Sequence, residues 1–277
     1  MKIGIIGASG SVGQSLVSRG GTDLHCDVTD LDGIRRILKK AAPDIVVHLA
    51  CKSNVDWCEA KENQEEVIRV NVRGAYNVAL VAEELSIPVV ALSTDHIFSG
   101  RKYFDRATRR WVRDGPYKED YVRAIPENFY GQSKLAMEGI LDAFDNVKIV
   151  RTSNLFHADD KRIFEYVDTL ALEYPIYVPT FQYRSFMYIE HFVNSLLRYI
   201  YMFYQMPKIL HISGSQTVSW YDFFVAFYGQ SSLINKKKTE EDGFVPRPKK
   251  AGLDTTLSAK LGLPQYSYLD GIKEMQK

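Results

Sequence analysis

Tyr130-Gly131-Gln132-Ser133-Lys134 sets a phenol and an amine four residues apart. On a helix that spacing puts both side chains on one face. A phenol with a pKa of about 10 is a poor proton donor and a poorer base at neutral pH. A neighbouring ammonium favours the phenolate and lowers that pKa. The pair suits reduction of a ketone, in which hydride reaches carbon and a proton reaches the developing alkoxide. Lys134 is also placed to hold a nicotinamide ribose. With 17 Tyr in the chain, one Lys at the fourth following position is expected about once by chance, so context must decide. The context is Val89-Val90-Ala91-Leu92, a buried strand that ends in Ser93-Thr94-Asp95-His96. A Thr94 hydroxyl at that carboxyl end can hydrogen-bond a substrate oxygen beside Tyr130, where α/β sheets bind ligands. The plainer reading of Thr94 and Asp95 is capping of a turn or helix.

A second motif opens the chain. Gly7-Ala8-Ser9-Gly10-Ser11-Val12-Gly13 follows a first strand and begins a first helix. Gly7 permits a tight turn, Gly10 lets backbone approach a pyrophosphate, and Gly13 lets the helix lie close to the strand. The helix N-terminus then offers free N–H groups and partial positive charge to phosphates. The acidic residue that commonly marks ribose recognition about 20 residues on has little room here. Asp27-Val28, at the end of a short second strand, can contact adenine through the Asp side chain. No clear Arg marks a 2′-phosphate, so NAD and NADP both stay open.

The elements that must position these groups alternate regularly in the first half. Strands are expected at Lys2–Ile6, Leu24–Cys26, Ile45–Ala50, Val89–Leu92 and Val147–Val150. Helices are expected at Ser11–Arg19, Leu31–Ala41 with Asp30 as N-cap, about 56–70, 72–85, and Tyr130–Phe144. Near-continuous apolar strands separated by helices imply a parallel sheet covered on both faces, and right-handed crossovers make it doubly wound. In the aromatic second half, Ile189–Tyr204 reads as a long buried helix and Ile209–Ile212 as one more core strand. Thr217-Val218-Ser219 begins another helix, with Ser219 and Asp222 at capping-box spacing. The fold class is α/β: a doubly wound parallel sheet of Rossmann type with a smaller, discontinuous α/β substrate domain. The nucleotide-binding domain is expected at 1–155 plus about 186–213, and the substrate-binding domain at about 156–185 plus 214–277.

Lys+Arg is 35 and Asp+Glu is 34, leaving a formal net charge of +1. A nucleic-acid binder normally shows a large basic excess, so none is expected as a partner. No apolar run of 18 residues exists, since Phe186–Phe203 is interrupted by Glu190, His191, Asn194 and Arg198. No membrane association is therefore expected. The three cysteines, Cys26, Cys51 and Cys58, form no CxxC pair, which argues against a disulfide framework or zinc site and for a reducing cytoplasm. No metal site is expected.

Taken together, the chain resembles an extended short-chain dehydrogenase/reductase, and most of all the dTDP-4-dehydrorhamnose reductase branch. The resemblance rests on Gly7–Gly13, "PDIVVHLA" at 43–50, Asn71 in "VNVRGAYN", "STDHIFSG" at 93–100 and "YKED" at 117–120. It continues through "YGQSKLAMEG" at 130–139, "RTSNLF" at 151–156 and "VPRPKKAGLDTTLSAKLGLP" at 245–264. It implies Tyr130 as proton donor, Lys134 as its partner and Thr94 at the carbonyl. It implies Gly10, Ser11 and Val12 at the pyrophosphate, and Asp27, Val28, Leu49, Ala50 and Cys51 along the adenosine side. Thr94 and Asp95 would also face the sugar. The implied cofactor is NADP or NAD, with NADPH slightly favoured, and the implied substrate is a nucleotide-linked 4-keto-6-deoxy sugar. Two departures stand out: His96 where the branch usually has Tyr, and Asn154 where it has Trp. "RSFMYIEHF" at 184–192 instead resembles the segment of sugar-nucleotide epimerases whose Arg grips a diphosphate. Arg184 and Asn154 are accordingly expected at the substrate diphosphate, since guanidinium suits bidentate phosphate contact. The rival reading of Arg184 is a structural ion pair.

Two alternatives accompany the reductase reading: an NAD-dependent sugar-nucleotide epimerase, and a non-catalytic regulatory binding subunit. His96 reads as a packed loop residue before an acid or base. Cys51 and Cys58 read as core or helix-face residues, and Asp56 and Glu59 as a helix start. The basic loop Arg101–Arg113 reads as solvated or a subunit contact, with a lid over nucleotide phosphates as the alternative. The aromatic stretch Phe186–Tyr204 reads as core or the face of a homodimer.

Overall fold

The computed structural model describes residues 1–101, 103–105, 109–112, 115–121, 124–157, 174–238 and 245–276. Six parallel strands form the central sheet: β1 (Ile3–Ile6), β2 (Thr22–Asp23), β3 (Ile45–His48), β4 (Val89–Thr94), β5 (Val147–Thr152) and β6 (Ile209–His211). Their spatial order is β6-β5-β4-β3-β1-β2. The chain reverses direction across the sheet between β1 and β3, so a crevice opens above the carboxyl ends of those strands.

Alternation of side chains explains why both faces are covered. Ile3 and Ile5 point to one face and pack with Phe192, Val193 and Leu196 of a helix at Ile189–Tyr201. Ile6 and Val46 point to the other, against Ile34 and Leu38 of a helix at Leu31–Ala41 and Val78 and Ala82 of one at Ala75–Glu84. Every residue of β1 and β3 is buried, which is why these strands read as unbroken apolar runs. Asp30 caps its helix as expected, its carboxylate accepting from the Gly33 N–H at 3.0 Å.

Several boundaries differ from the sequence expectation. The second strand lies at Thr22–Asp23, not Leu24–Cys26, because its ladder to β1 closes with the Leu24 N–H on the Ile5 carbonyl. The two helices expected between 56 and 85 are one winding path. It holds short turns at Val55–Glu59 and Gln64–Val67, a π-helical segment at Ile68–Gly74, and then Ala75–Glu84. The helix expected to run to Tyr204 ends at Tyr201. Val218–Ser219 pairs antiparallel with Tyr183–Arg184 before Ser219 caps the helix Trp220–Tyr228. There the Ser219 hydroxyl accepts from the Asp222 N–H and donates to the Asp222 carboxylate. The complete capping box lies elsewhere, at Ser267 and Asp270.

Residues of the second half build a separate aromatic core of Phe156, Phe186, Phe223, Phe224 and Tyr268. Phe186 and Phe223 stack with ring centroids 4.2 Å apart. Residues 245–254 lace this region to the sheet. Lys249 donates its N–H to the Ser99 carbonyl, Tyr183 donates to Lys249, Tyr117 donates to the Gly252 carbonyl at 2.8 Å, and Asp254 donates to the Tyr117 carbonyl at 2.7 Å.

Two histidines are sealed into this frame. Burial lowers His48 from 6.5 to about 3, with Lys134 adding to the effect. Burial likewise lowers His211 from 6.5 to about 3, with Arg151 adding. The unfolded chain protonates these rings as pH falls below 6.5 while the folded chain refuses the proton until about 3. Stability is therefore intact above 6.5 and is lost as pH falls toward 3. Urea unfolding is expected to show a loss of about 2 kcal/mol per histidine between about pH 7 and 5. His48→Gln should flatten part of that slope, and an unchanged slope would contradict the assignment.

Candidate active site

The helix Phe129–Leu141 carries Tyr130 and Lys134, and two side chains set its entry. Asn128, 1% exposed, is its N-cap, accepting from the Gly131 N–H at 2.9 Å. The Glu59 carboxylate accepts from the Phe129 N–H at 2.8 Å. Gly131 permits a close approach to the end of β4: a Cβ there would lie 2.3 Å from the His96 carbonyl oxygen. Farther along, Glu138 meets Arg151 of β5 in a forked pair, with Nε 3.0 Å and Nη2 2.8 Å from its carboxylate oxygens. Both side chains are 6% exposed.

This clamp brings Tyr130 to the carboxyl edge of the sheet, beside the Thr94 hydroxyl. Tyr130 is half-buried, and burial pushes its pKa well above 10, with Cys51, Asp95 and Cys58 adding and Thr94 opposing. The expected acidifying partner behaves differently here. Lys134 is buried and donates to the Leu92 carbonyl at 2.6 Å, with its Nζ 3.1 Å from the Met137 sulfur. Its own pKa is lowered by burial. The group that pulls the phenol down is Thr94, and burial outweighs it, so the Tyr130 phenol stays protonated.

Below Thr94 lies a buried pair. Asp95 is 1% and Arg184 2% exposed, with Nε 3.6 Å from Oδ2. Ser153 donates to the same Asp95 oxygen at 2.6 Å. Burial raises the Asp95 pKa against the pull of Arg184. Arg184 also donates from Nη1 to the Tyr183 carbonyl, which leaves Nη2 without a hydrogen bond among the described residues. Asn154 follows β5 half-buried, its carbonyl accepting from the Met187 N–H.

The glycine loop faces the same crevice. Gly7 adopts φ +92, and a Cβ on it would sit 2.4 Å from the Ala50 nitrogen. Leu49 and Ala50 in turn donate to the Ile6 carbonyl. A Cβ on Gly13 would collide with Ala8, whereas one on Gly10 would meet nothing nearer than 3.9 Å. Gly10 caps the helix Ser11–Ser18 without a side chain, so the first-turn N–H groups of Ser11, Val12 and Gly13 are free for an anion. Val28 is buried against Gly74. Asp27 is exposed and turned onto Thr29, whose N–H and hydroxyl both donate to it at 2.8 Å. Cys51 is half-buried beside Tyr130 and Lys134. This open cradle over a capless helix fits a dinucleotide diphosphate.

A sequence model of the family described as RmlD substrate binding domain matches residues 1–277. The chain belongs to that family. The chain is similar to the spore coat polysaccharide biosynthesis protein SpsK of Bacillus subtilis, 28% identical over 99% of this chain and 96% of that one. It is also similar to a dTDP-4-dehydrorhamnose reductase of Mycolicibacterium smegmatis, 28% identical over 95% of this chain and 80% of that one. The solved structure of dTDP-4-dehydrorhamnose reductase from Bacillus anthracis in complex with NADP shares the fold, with a TM-score of 0.84 at 23% identity, covering 100% of this chain and 99% of that one.

Other expectations resolve residue by residue. Cys58 is buried, its thiol donating to the Lys52 carbonyl. Asp56 starts a helix as expected and also pairs with Arg247 at 2.8 Å. Arg101 pairs with Glu127, while residues 102, 106–108 and 113 of the basic loop lie outside the described residues. No group of three His, Cys, Asp or Glu among the described residues could hold a metal. No described helix is long and apolar enough to cross a membrane. Glu59, expected at a helix start, instead ends the helix Val55–Glu59, and Asn128, Glu138 and Arg247 escaped the sequence reading. Asn128 carried a usable signal, an Asn just ahead of a helical run.

Proposed function

We propose that this protein catalyses NADPH- or NADH-dependent reduction of the C4 ketone of a nucleotide-linked 4-keto-6-deoxy sugar. The observation that carries the reading is Tyr130 lying beside Thr94 at the carboxyl end of β4. The names of the full-length relatives support the substrate class. Gly7, Gly10, Ser11, Val12 and Gly13 would hold the cofactor diphosphate, and Asp27, Val28, Leu49, Ala50 and Cys51 its adenosine side. A reduced nicotinamide bound there supplies the hydride. Thr94 orients the ketone oxygen, and Tyr130 passes its proton to that oxygen as negative charge develops on it. Lys134, whose amine donates to Leu92 and lies against Met137, would contact the nicotinamide ribose. Arg184 offers its unpaired Nη2 edge, with Asn154, to the substrate diphosphate, while its Nε secures Asp95. The three free thiols suit a reducing cytoplasm. A homodimer completes the reading, with Tyr201 at 69% and Tyr204 at 86% exposure as its contact.

The test is oxidation of NADPH and NADH in the presence of dTDP-, UDP- and GDP-linked 4-keto-6-deoxy sugars. Net consumption matched to sugar reduction is the expected result. Turnover without consumption would assign an epimerase, and no turnover with any substrate would remove the reading.

A further inference from the structure

We propose that Asn128 is a positioning residue that fixes His96 in the Nε2–H tautomer, giving the sugar end of the cleft an uncharged hydrogen-bond donor beside Tyr130. The inference rests on the proposed reduction for its consequence, but its geometry stands without it.

The orientation of the Asn128 amide is settled by its neighbours. Its Oδ1 accepts from the Gly131 N–H at 2.9 Å, and its Nδ2 donates to the Pro246 carbonyl at 2.9 Å. Flipping the amide would set N–H against N–H at one contact and oxygen against oxygen at the other. The second Nδ2 hydrogen therefore points at His96 Nδ1, 3.2 Å away. That nitrogen must be the acceptor, which leaves the proton of a neutral imidazole on Nε2. A protonated ring would face Nδ1–H against an amide N–H. The surroundings also oppose charging: burial lowers the His96 pKa well below 6.5, and Arg184 and Arg247 lower it further. Asp95, the preceding residue, is paired with Arg184, and the Tyr130 ring makes a T-shaped contact with the imidazole.

The ring is held where a donor is useful. The His96 backbone N–H donates to Thr94 Oγ1 at 3.2 Å, and the imidazole and the Tyr130 ring make a T-shaped contact with centroids 5.6 Å apart. His96 is half-buried, and among the described residues Asn128 is the only side chain hydrogen-bonded to its imidazole. Nε2–H is thus left for a ligand oxygen. An acid or base role for His96 is excluded by the same contacts, since the ring cannot take a proton at Nδ1 without breaking the Asn128 network.

The experiment is long-range ¹H–¹⁵N correlation of the imidazoles in ¹⁵N-labelled protein, with His96 assigned from its loss in His96→Gln. The expected pattern has Nδ1 unprotonated and Nε2 protonated, unchanged between about pH 5 and 8. In Asn128→Asp the helix cap to the Gly131 N–H survives, the bond to the Pro246 carbonyl is lost, and a carboxylate oxygen faces Nδ1. His96 should then acquire an Nδ1 proton and titrate within that range. With dTDP-4-keto-6-deoxy-D-glucose and NADPH, His96→Phe should lower kcat/KM about tenfold, the loss of one hydrogen bond. Asn128→Asp should add a pH dependence to kcat/KM that the wild type lacks. An Nδ1–H tautomer or a titrating imidazolium in the wild-type spectrum would overturn the proposal whatever the enzyme reduces. An Nε2–H spectrum with unaltered kcat/KM in His96→Phe would overturn the donor role. Absence of any reduction by wild type, with the spectrum as expected, would count against the proposed function and leave the tautomer standing.

Discussion

Tyr130→Phe is expected to lower kcat for ketone reduction by about 10²–10⁴-fold, the range for loss of a positioned proton donor. The substitution removes one oxygen and keeps the ring that packs edge-on against His96. The helix cap at Asn128 and the buried clamp at Glu138 lie outside the change, so fold and cofactor affinity should hold. Burial keeps the Tyr130 phenol protonated in the resting protein, so it enters the reaction as a donor. Stopped-flow reduction with saturating cofactor separates the chemical step from binding. A variant that retains more than about a tenth of the wild-type rate would move proton donation to another group.

Arg151→Met is expected to destabilise the fold by about 3–5 kcal/mol, the usual penalty for stranding one partner of a buried ion pair. Arg151 reaches Glu138 with three bonds of 2.8 to 3.2 Å, and Nη1 also donates to the Glu119 carbonyl. With both side chains 6% exposed, solvent cannot take over the abandoned carboxylate. The double variant Arg151→Met, Glu138→Leu should recover most of the loss, because no unpaired charge remains. Urea denaturation of both variants measures this directly. A single variant within about 1 kcal/mol of wild type would mean that the pair is not desolvated.

The sheet was legible because its strands are buried on both faces, and a run such as Ile45-Val46-Val47 has no amphipathic reading. The glycine loop and the Tyr130–Lys134 pair were legible because fixed spacing on a known element fixes a face. What escaped depends on contacts between residues far apart in the chain. Leu92 takes the Lys134 ammonium across 42 positions, and Glu59 caps a helix that starts 70 positions later. Nothing local to Lys134 says whether its amine will meet a phenol or a carbonyl. The π-helical turn at Ile68–Gly74 was equally hidden, since a one-residue expansion leaves the apolar periodicity nearly intact. There Asn71 turns inward to hold the Lys52 backbone and the Ser133 hydroxyl.

The stitch between Asn128 and Pro246 also sets a timetable. On the ribosome the helix bearing Tyr130 emerges more than a hundred residues before Pro246 is made. At ordinary elongation rates that is a wait of about 6–24 s. Until then the Asn128 amide lacks its Pro246 partner, and Ile3 and Ile5 lie bare until Phe192, Val193 and Leu196 are made to cover them. Chaperones that shield newly made protein would meet a chain whose sheet is still open on one face.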